Sequence, residues 1–333
     1  MSDELRVGIL GAGLIGGVHV EAYAMTPGTT VVAVADPVEA KAQRLAAGAG
    51  AAVVADLEGM LDLGVDVVSV CTPPSTHADI AVAALESGAH VLCEKPLART
   101  VADGRRIVEA ADRAEGLLMV GHVSRFEPDH RMAKQLVDQG LLGPVRMVKH
   151  SITSALPGWS EAGWLADSRL SGGPLLDVAV HSFDYLAWLL DCDPIRVHTV
   201  GADTGAGPAT YALATLRFAS GAMALVEVSW AHPAARGTKL AAELVGPLGR
   251  LTWSYDHMMA GVLYPDDGDP TWFDTLGDRG YRDELRSFAD AIRSGATSPV
   301  PARDGFAAIR TALAAMESLR TGETIDLTTW EAP

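Results

Sequence analysis

The fold of this chain is decided by the stretch Arg6-Val7-Gly8-Ile9-Leu10-Gly11-Ala12-Gly13-Leu14-Ile15-Gly16. Its first half is a short apolar run typical of a buried β-strand, and its second half is a glycine-rich turn that opens a helix. A G-x-G-x-x-G turn carries weight in this context, because it brings backbone amides and a helix N-terminus close to a diphosphate. The stretch therefore predicts a βαβ unit with a dinucleotide site at its first turn.

Alternating strand and helix patterns continue from this stretch up to Val123. The strand-like runs are separated by segments with apolar residues at helical spacing, such as Ala78 to Ser87 and Val101 to Glu115. Strands that alternate with helices predict right-handed βαβ units and a parallel sheet covered on both faces. Residues 1–123 are therefore predicted to form a doubly wound α/β domain. Its strands are expected at Arg6 to Leu10, Thr30 to Ala35, Val65 to Cys71, His90 to Cys93 and Leu117 to Val123.

The remaining residues, 124–333, have strand-like runs that follow one another with little helix between them. Ser220-Gly221 separates two of these runs and predicts a tight hairpin. The pattern predicts an antiparallel meander within an α+β domain that has a large, open, mostly antiparallel sheet. Because a broad sheet with few covering helices usually hides its open face, we expect a second copy of the chain there, in a homodimer or homotetramer. Helices are expected near Leu175 to Leu190, Arg282 to Arg293 and Gly305 to Leu319.

Composition limits the partners and the compartment. The chain has 333 residues and a formal net charge of -16, so a nucleic-acid backbone or an anionic membrane surface would be repelled. Three scattered cysteines, Cys71, Cys93 and Cys192, predict neither a disulfide framework nor a CxxC metal site. The acidic N-terminus leads into an apolar strand pattern without an export signal. These features favour a cytoplasmic protein that acts on a small molecule and holds no metal.

The glycine turn is the predicted cofactor site. Gly11 permits the tight turn, Gly13 lets the backbone approach the diphosphate, and Gly16 lets the helix pack closely on the strand. Leu14 and Ile15 lie in the same turn and are expected to contact the cofactor. A glycine-rich turn that merely tightens a loop is the structural alternative, and the strand before it and the helix after it argue against that alternative.

Asp36 supplies the second half of the cofactor prediction. It follows Gly16 by twenty residues and stands at the end of the second predicted strand. There its carboxylate would accept hydrogen bonds from the adenosine ribose hydroxyls and would repel a 2′-phosphate, so NAD is favoured over NADP. Lys41 or Arg44 on the next predicted helix keeps NADP open as an alternative.

Two further predicted strands end where open α/β sheets bind their ligands. Thr72-Pro73-Pro74 follows one of them, and Thr76-x-x-Asp79 then resembles a capping box, with His77 in the first turn of the helix. Glu94 and Lys95 follow the other strand and are expected at the rim of the crevice. A lysine near a positively charged nicotinamide loses some preference for its charged form, which suits proton transfer. The alternative is an ordinary surface lysine after a strand.

A second polar pair lies in Gly172-Gly173-Pro174-Leu175-Leu176-Asp177-Val178-Ala179-Val180-His181. Glycines followed by proline indicate the start of a helix. Asp177 and His181 are four residues apart, so a continuous helix would place them on one face. The helix is apolar almost all round and should be buried, which makes His181 a candidate general base beside a carboxylate. A core histidine bonded to a backbone carbonyl is an equally good interpretation of this pair alone.

Taken together, these motifs resemble the glucose-fructose oxidoreductase / inositol dehydrogenase / MocA (Gfo/Idh/MocA) family. The resemblance rests on Thr72-Pro73-Pro74 with His77, Glu94-Lys95-Pro96, Gly172-Gly173 with Asp177-x3-His181, and Tyr281-x-x-Glu284-x-x-x-Phe288. It covers nearly the whole chain and implies an N-terminal Rossmann domain followed by an open-sheet C-terminal α/β domain. It also implies hydride transfer between NAD and a secondary alcohol or ketone of a sugar or cyclitol.

The resemblance further implies roles for individual residues. Lys95, Asp177 and His181 are implied as the catalytic trio. The residues implied at the nicotinamide end are Thr72, Pro73, His77 and Glu94. The expected substrate-binding residues are Lys95, His122, Arg125, Trp164, Arg169, Asp177 and His181.

The chain also departs from the family pattern. Many relatives have a third glycine where Pro174 stands and a glycine where Ala179 stands. An arginine commonly follows the tryptophan at Trp164, but here Leu165 follows it. Either Arg169 substitutes for that arginine or the substrate lacks the group that it would bind.

Two other functions remain open at this stage. The resemblance includes NAD-using glycoside hydrolases, which oxidise a sugar hydroxyl transiently and produce no net NADH. A sugar or nucleotide sensor on the same scaffold is the other alternative, although a sensor has no need of the proton-transfer trio Lys95, Asp177 and His181.

Overall fold

The computed structural model describes residues 4–158, 161–202, 210–233, 238–254, 259–265, 271–273 and 280–332. For residues 161, 162, 164, 168, 169, 259–265 and 271–273 it describes the backbone alone. Two compact units divide the chain: one contains Met1–Phe126 and Arg279–Phe306, and the other contains Glu127–Asp278 and Ala307–Pro333.

The first unit is built on a six-stranded parallel sheet in the order β3-β2-β1-β4-β5-β6. All four residues of β4 are buried, as expected where helices cover both faces of a parallel sheet. The chain order reverses between β1 and β4, which is where doubly wound sheets bind ligands. The prediction of a doubly wound sheet is confirmed. The strands are β1 (Leu5–Leu10), β2 (Thr29–Ala35), β3 (Ala52–Val53), β4 (Val67–Val70), β5 (His90–Glu94) and β6 (Leu118–Gly121).

The helices of this unit begin in two different ways. Asp56 caps α3 by accepting a hydrogen bond from the amide of Gly59, and Thr100 caps α5 through the amide of Asp103. Such caps contribute about 1 kcal/mol each. Helix α1 begins instead at the glycine turn, with no side-chain cap and no acidic residue in its described first turn. No side chain therefore caps the first amides of this helix in the part of the chain that the structure describes. The helices are α1 (Leu14–Ala24), α2 (Glu39–Ala49), α3 (Leu57–Asp62), α4 (His77–Glu86) and α5 (Val101–Arg113).

The second unit contains a nine-stranded sheet in the order β14-β13-β12-β11-β7-β10-β9-β8-β15. Most neighbours are antiparallel, so the predicted fold class is confirmed. The expectation of a simple meander was wrong, because β7 lies between β11 and β10 and runs parallel to β10. The strands are β7 (Met147–Thr153), β8 (Pro194–Ala202), β9 (Tyr211–Phe218), β10 (Met223–Ser229), β11 (Lys239–Gly246), β12 (Gly249–Ser254), β13 (Met259–Pro265), β14 (Thr271–Phe273) and β15 (Ile325–Asp326).

The helices that follow β6 divide between the units. Helix α10 (Gly280–Ser294) belongs to the first unit, where it packs on α1, although its sequence was grouped with residues 124–333. Helix α11 (Ala302–Thr321) begins in the first unit and continues in the second. Within the described ranges, no helix is both long and apolar enough to cross a bilayer. The helices of the second unit are α6 (Pro128–Asp138), α7 (Ser168–Ser171), α8 (Gly173–Asp177) and α9 (Ala179–Leu190).

Candidate active site

Four parallel strands of the first unit end at one edge of its sheet. The register pairs Leu10 of β1 with Val70 of β4, and Val70 with Cys93 of β5. Glu94 at the end of β5 pairs with Gly121 of β6. We call the turns after these four strands the carboxyl edge. They begin at Gly11, Cys71, Lys95 and His122.

The glycines of the first turn have different reasons to lack a side chain. A Cβ atom at Gly16 would lie 2.0 Å from the carbonyl oxygen of Gly11, and one at Gly11 would lie 2.5 Å from that of Cys71. Gly11 also has a φ of 101°, which side chains disfavour. A Cβ atom at Gly13 would meet no described protein atom within 4 Å. Packing explains why Gly11 and Gly16 lack a side chain. At Gly13 the space is open instead, and a diphosphate requires such space beside a helix N-terminus.

Asp36 joins the first turn to the end of β2. Its Oδ2 accepts a hydrogen bond from the amide of Ala12 at 2.8 Å, and its Oδ1 accepts one from the amide of Val38 at 2.8 Å. A carboxylate has about four lone-pair sites, so both oxygens keep acceptor capacity for a ligand. Leu14 and Ile15 follow on the outer side of the same turn, and Leu14 is 56% exposed.

The turn after β4 is held by His77. Its Nε2 lies 2.8 Å from the carbonyl oxygen of Thr72, and its Nδ1 lies 3.0 Å from that of Pro96. Burial lowers the pKa of His77, and the hydrogen bonds to these carbonyls oppose that effect only in part. His77 is completely buried, whereas Thr72 is partly exposed and Pro73 is exposed. His77 therefore holds the turn from inside the protein and leaves Thr72 and Pro73 accessible.

The predicted capping box at Thr76 was wrong. The side chain of Thr76 makes no cap hydrogen bond to α4. Its hydroxyl instead donates to Thr72 Oγ1 at 2.7 Å or to the carbonyl oxygen of Pro73 at 2.9 Å. The reason is a single turn of 3-10 helix over Pro74–Thr76, which runs directly into α4 and gives Thr76 a helical backbone.

Glu94 was expected at the rim of the crevice, but the structure buries it to 5% exposure. Its Oε1 lies 3.0 Å from Nε2 of His19 on α1. The Nδ1 atom of His19 lies 2.7 Å from the hydroxyl of Ser69 and 3.3 Å from the sulfur of Cys71. The imidazole thus joins α1 to the ends of β4 and β5. Lys95, the next residue, is half-buried, and the Lys95-Pro96 peptide bond is cis.

The pKa values of this pair favour its charged form. Burial lowers the pKa of His19, but the interactions with Cys71 and Glu94 outweigh burial and raise it well above its ordinary value. Burial raises the pKa of Glu94, but the hydrogen bond and charge of His19, with help from Lys95, lower it below its ordinary value. Both pKa shifts therefore favour a protonated His19 and an ionised Glu94.

Sequence reasoning missed His19 and Ser69. One signal was present, because His19 follows Gly16 by three residues and Tyr23 follows His19 by four, which places all three on the buried face of α1. A histidine on the face that packs against the sheet requires polar partners. The partners themselves were not visible, since Ser69 and Glu94 are 50 and 75 residues away from His19.

The turn after β6 carries His122 and Arg125, and both are buried. The guanidinium of Arg125 lies 2.9 Å from Oδ2 of Asp304, which belongs to the same unit. This ion pair compensates the charge of Arg125 inside the protein. The structure thus shows Arg125 in an ion pair with Asp304, and its substrate-binding role remains a prediction.

In the second unit, Asp177 and His181 do not share one continuous helix. Asp177 ends α8, Val178 interrupts the helix with φ -104° and ψ -51°, and α9 begins at Ala179. The inference that a single helix places both side chains on one face was therefore wrong. From Ser171 to Leu186, however, Asp177, Val178 and His181 are the only residues that are not fully buried. The two polar side chains are partly exposed within an otherwise buried segment.

Two predicted substrate residues, Trp164 and Arg169, have side chains outside the described part of the structure. Their backbones lie in a 3-10 helix over Glu161–Ala166 and in α7. Leu165, which replaces the arginine of many relatives, is described and is 1% exposed. It is a core residue.

A buried polar cluster lies under α9. His150 contacts the Ser182 hydroxyl through Nδ1 at 2.9 Å and Nε2 of His130 through its own Nε2 at 3.4 Å. The rings of Tyr185 and His130 pack against each other at a tilt of 46°, with centroids 4.1 Å apart. Burial lowers the pKa of His150 to about 4, so its imidazole is neutral at pH 7. Apolar rings and hydrogen bonds rather than charge hold this cluster together.

Two family models match the chain. One, described as an oxidoreductase family with an NAD-binding Rossmann fold, matches residues 5–122. The other, the GFO/IDH/MocA C-terminal domain, matches residues 130–252. The first match covers the six-stranded sheet, and the second covers β7 to β11 and most of β12 in the nine-stranded sheet.

Curated relatives align with the chain from end to end. Inositol 2-dehydrogenase of Rhizobium meliloti (strain 1021) is 31% identical over 95% of this chain and 97% of that protein. Inositol 2-dehydrogenase 1 of Saccharopolyspora erythraea is 33% identical over 99% of this chain and 98% of that protein.

Solved structures share the fold. A putative myo-inositol dehydrogenase from Sinorhizobium meliloti 1021 superposes with a TM-score of 0.83 at 29% identity, over 97% of this chain and 99% of the other. Levoglucosan dehydrogenase, in complex with NADH and levoglucosan, superposes with a TM-score of 0.89 over 97% of this chain and 99% of the other. At 23% identity, the second likeness concerns the fold alone.

Proposed function

Because this chain belongs to the GFO/IDH/MocA oxidoreductase family, we propose that it is an NAD-dependent dehydrogenase of a sugar or cyclitol. The reaction is hydride transfer between the cofactor and a secondary alcohol or ketone. The observation that carries the proposal is the carboxyl edge. There, open space at Gly13 lies beside the uncapped N-terminus of α1, and Lys95 follows β5, two strands away from β1 in the same sheet.

The residues of the first turn fit NAD. The amides at the start of α1 would bind the diphosphate, and the space beside Gly13 admits it. Asp36 would accept hydrogen bonds from the ribose hydroxyls, and its negative charge favours NAD over NADP. When bound, NAD would supply the hydride acceptor for oxidation of a secondary alcohol, and NADH would supply the donor for reduction of a ketone.

The catalytic assignment is Lys95, Asp177 and His181, as predicted from the sequence. His181 takes the proton from the substrate hydroxyl, Lys95 donates a hydrogen bond to the same oxygen, and Asp177 orients the substrate or His181. Two observations support this assignment. Lys95 is half-buried at the carboxyl edge, and Asp177 and His181 are partly exposed within an otherwise buried segment.

The substrate class is a neutral polyol. Cationic side chains would be needed to bind a sugar acid, yet Leu165 is a buried leucine and Arg125 is already paired with Asp304. The relatives named inositol 2-dehydrogenase agree with a neutral cyclitol. Lys95 and Arg169 are the remaining candidate cations from the sequence, and sugar acids therefore belong in the test.

The open face of the nine-stranded sheet is the proposed contact between copies of the chain. Met147 and Met223 are paired neighbours on this face and are 42% and 50% exposed, and Val200 on β8 is 52% exposed. Light scattering should give a dimer or tetramer, and Met223→Glu should lower the mass. Leu141→Glu, at an exposed leucine outside the sheet, is the matched control. A monomeric wild-type protein would exclude this contact.

The experiment that tests the function measures NADH formation with a panel of inositols, aldoses, sugar acids and amino sugars, with NADP in parallel. We expect turnover of one neutral polyol with NAD. Lys95→Ala should lower turnover about 10²- to 10⁴-fold and leave NADH affinity largely intact. Arg105→Ala, on the exposed face of α5, is the control for loss of one positive charge.

The other outcomes point elsewhere. Release of a sugar without net NADH would identify a redox-neutral glycoside hydrolase. NAD binding without turnover of any panel member, in either direction, would favour a sensor.

A further inference from the structure

Glu94 connects His19 to the backbone of Lys95. One carboxylate oxygen, Oε1, contacts Nε2 of His19 at 3.0 Å, and the other, Oε2, accepts the amide hydrogen of Lys95 at 3.0 Å. The carboxylate is confined on its third side by β6, since a Cβ atom at Gly121 would lie 2.8 Å from Oε1. Its position is therefore set by three elements at once.

The residue on the other side of Lys95 is also held by a buried histidine. The carbonyl oxygen of Pro96 contacts Nδ1 of His77 on α4. Lys95 itself is half-buried, whereas Glu94 and Pro96 are buried. The lysine thus extends from a backbone that is fixed directly before and directly after it.

We propose that His19 is a positioning residue for Lys95, acting through the carboxylate of Glu94. This proposal rests on the proposed function, in which Lys95 donates a hydrogen bond to the reacting oxygen. His19 touches neither substrate nor cofactor in this scheme. It holds Glu94 in the one place where Oε2 receives the Lys95 amide, and so fixes the starting point of the lysine side chain.

A donor at the place of Nε2 explains why a histidine is suited to this position. Hydrogen bonds to an ionised acceptor are stronger and shorter than neutral ones. A buried carboxylate that loses its hydrogen-bond donor is strongly destabilised, and it then turns to the nearest alternative donor. Here the alternative is the ammonium of Lys95, whose charge already stabilises ionised Glu94. His19 therefore keeps Glu94 from holding the catalytic lysine.

Two neutral variants separate positioning from simple packing. In His19→Gln, the amide nitrogen reaches the place of Nε2 and keeps a donor to Glu94. In His19→Asn, it reaches the place of Nδ1, keeps the contact with Ser69 and loses Glu94. Misplacing a catalytic group by about 1 Å costs up to about 100-fold in rate, so we expect kcat to fall about 10- to 100-fold in His19→Asn. In His19→Gln we expect kcat to lie within about threefold of wild type, which corresponds to a difference of about 0.7 kcal/mol in barrier height.

Binding and folding are measured on the same samples. NADH Kd and KM for the substrate should stay within about twofold of wild type in both variants, because an interaction made only in the transition state affects kcat. Equal loss of kcat in both variants, or a loss matched by weaker NADH binding, overturns the proposal. If His19→Asn does not fold, Glu94→Gln replaces it. That variant keeps one acceptor oxygen for two donors, and unchanged kcat there also overturns the proposal.

A second readout does not depend on the proposed function. The rate at which acetic anhydride acylates Lys95 is measured by mass spectrometry, with an added lysine-containing peptide as the internal reference. In His19→Asn we expect Lys95 to react about threefold more slowly, because the released Glu94 carboxylate pairs with its ammonium. His19→Gln should match wild type. An unchanged or faster rate in His19→Asn, or the same change in both variants, overturns the proposal even if the protein turns over no polyol.

Discussion

Nδ1 of His77 lies 3.0 Å from the carbonyl oxygen of Pro96, and this contact ties the turn after β4 to the turn after β5. The other ring nitrogen contacts the carbonyl oxygen of Thr72. A neutral imidazole has one N–H, so an apolar ring of similar size removes one hydrogen-bond donor as well as both ring-nitrogen contacts with these carbonyl oxygens. His77→Phe should therefore lower the free energy of unfolding by about 1–3 kcal/mol.

The same substitution should weaken NADH binding, since Thr72 belongs to the predicted nicotinamide end. Urea unfolding followed by circular dichroism gives the stability, and a fluorescence titration gives the NADH Kd. His90→Phe is the matched control, because His90 is only about half buried and its ring lies at the start of β5, at the opposite end of the strand. If both variants weakened NADH binding equally, the role of His77 at this edge would be refuted.

Replacing Gly16 by alanine should affect stability, whereas replacing Gly13 by alanine should affect NADH binding. Gly16→Ala places a Cβ atom 2.0 Å from the carbonyl oxygen of Gly11 and should destabilise the protein by about 1–3 kcal/mol. Gly13→Ala meets no described protein atom and should keep the fold, while the added methyl group raises the NADH Kd about tenfold or more, a loss of about 1.4 kcal/mol.

Gly17→Ala is the control for both glycine variants. It lies in the same helix, and a Cβ atom there also meets no described protein atom within 4 Å. We expect unchanged NADH affinity and equal or slightly higher thermal stability, since alanine favours a helix over glycine by about 1 kcal/mol. Normal NADH binding by Gly13→Ala would show that the diphosphate does not lie beside Gly13.

The local elements around the first turn were predictable from sequence because their signals are local. The strand before Gly11, the helix after Gly13 and the position of Asp36 after β2 all follow from short patterns of apolar residues and glycines. The family resemblance extended this prediction to the whole chain and was confirmed by the family models and relatives.

Features that depend on distant partners were not predictable. The placement of β7 beside β10 joins residues more than 70 positions apart in a parallel pair, and no local pattern specifies it. The contacts of His19 with Ser69 and Glu94 are of the same kind. The interruption at Val178 is a local feature, but it was not predictable either. The apolar run that contains Asp177 and His181 predicts one helix, because hydrophobic periodicity does not distinguish one helix from two short helices in succession.

Asp36 should control the choice between NAD and NADP. Asp36→Asn removes the negative charge that would repel a 2′-phosphate, so the ratio of kcat/KM for NADP to that for NAD should rise about tenfold or more, about 1.4 kcal/mol in relative binding. Glu39→Gln, which removes one negative charge at the start of α2, is the control and should leave the ratio unchanged. A ratio unaffected by Asp36→Asn would mean that the carboxylate does not face the ribose.

His150 should make the second unit sensitive to acid. Its pKa in the folded protein is about 4, below the ordinary value of 6.5, because it is buried. Between these two values the unfolded chain binds a proton that the folded chain does not, so stability is fully present above about pH 6.5 and falls as pH falls towards about 4. The loss approaches about 3 kcal/mol for this one group.

All seven tryptophans lie in the second unit, so tryptophan fluorescence during urea unfolding reports on the unit that contains His150. His150→Asn should flatten the dependence of unfolding free energy on pH over this range, whereas His232→Asn, at an exposed histidine, should not. An equally steep dependence in His150→Asn would assign the acid sensitivity to other groups.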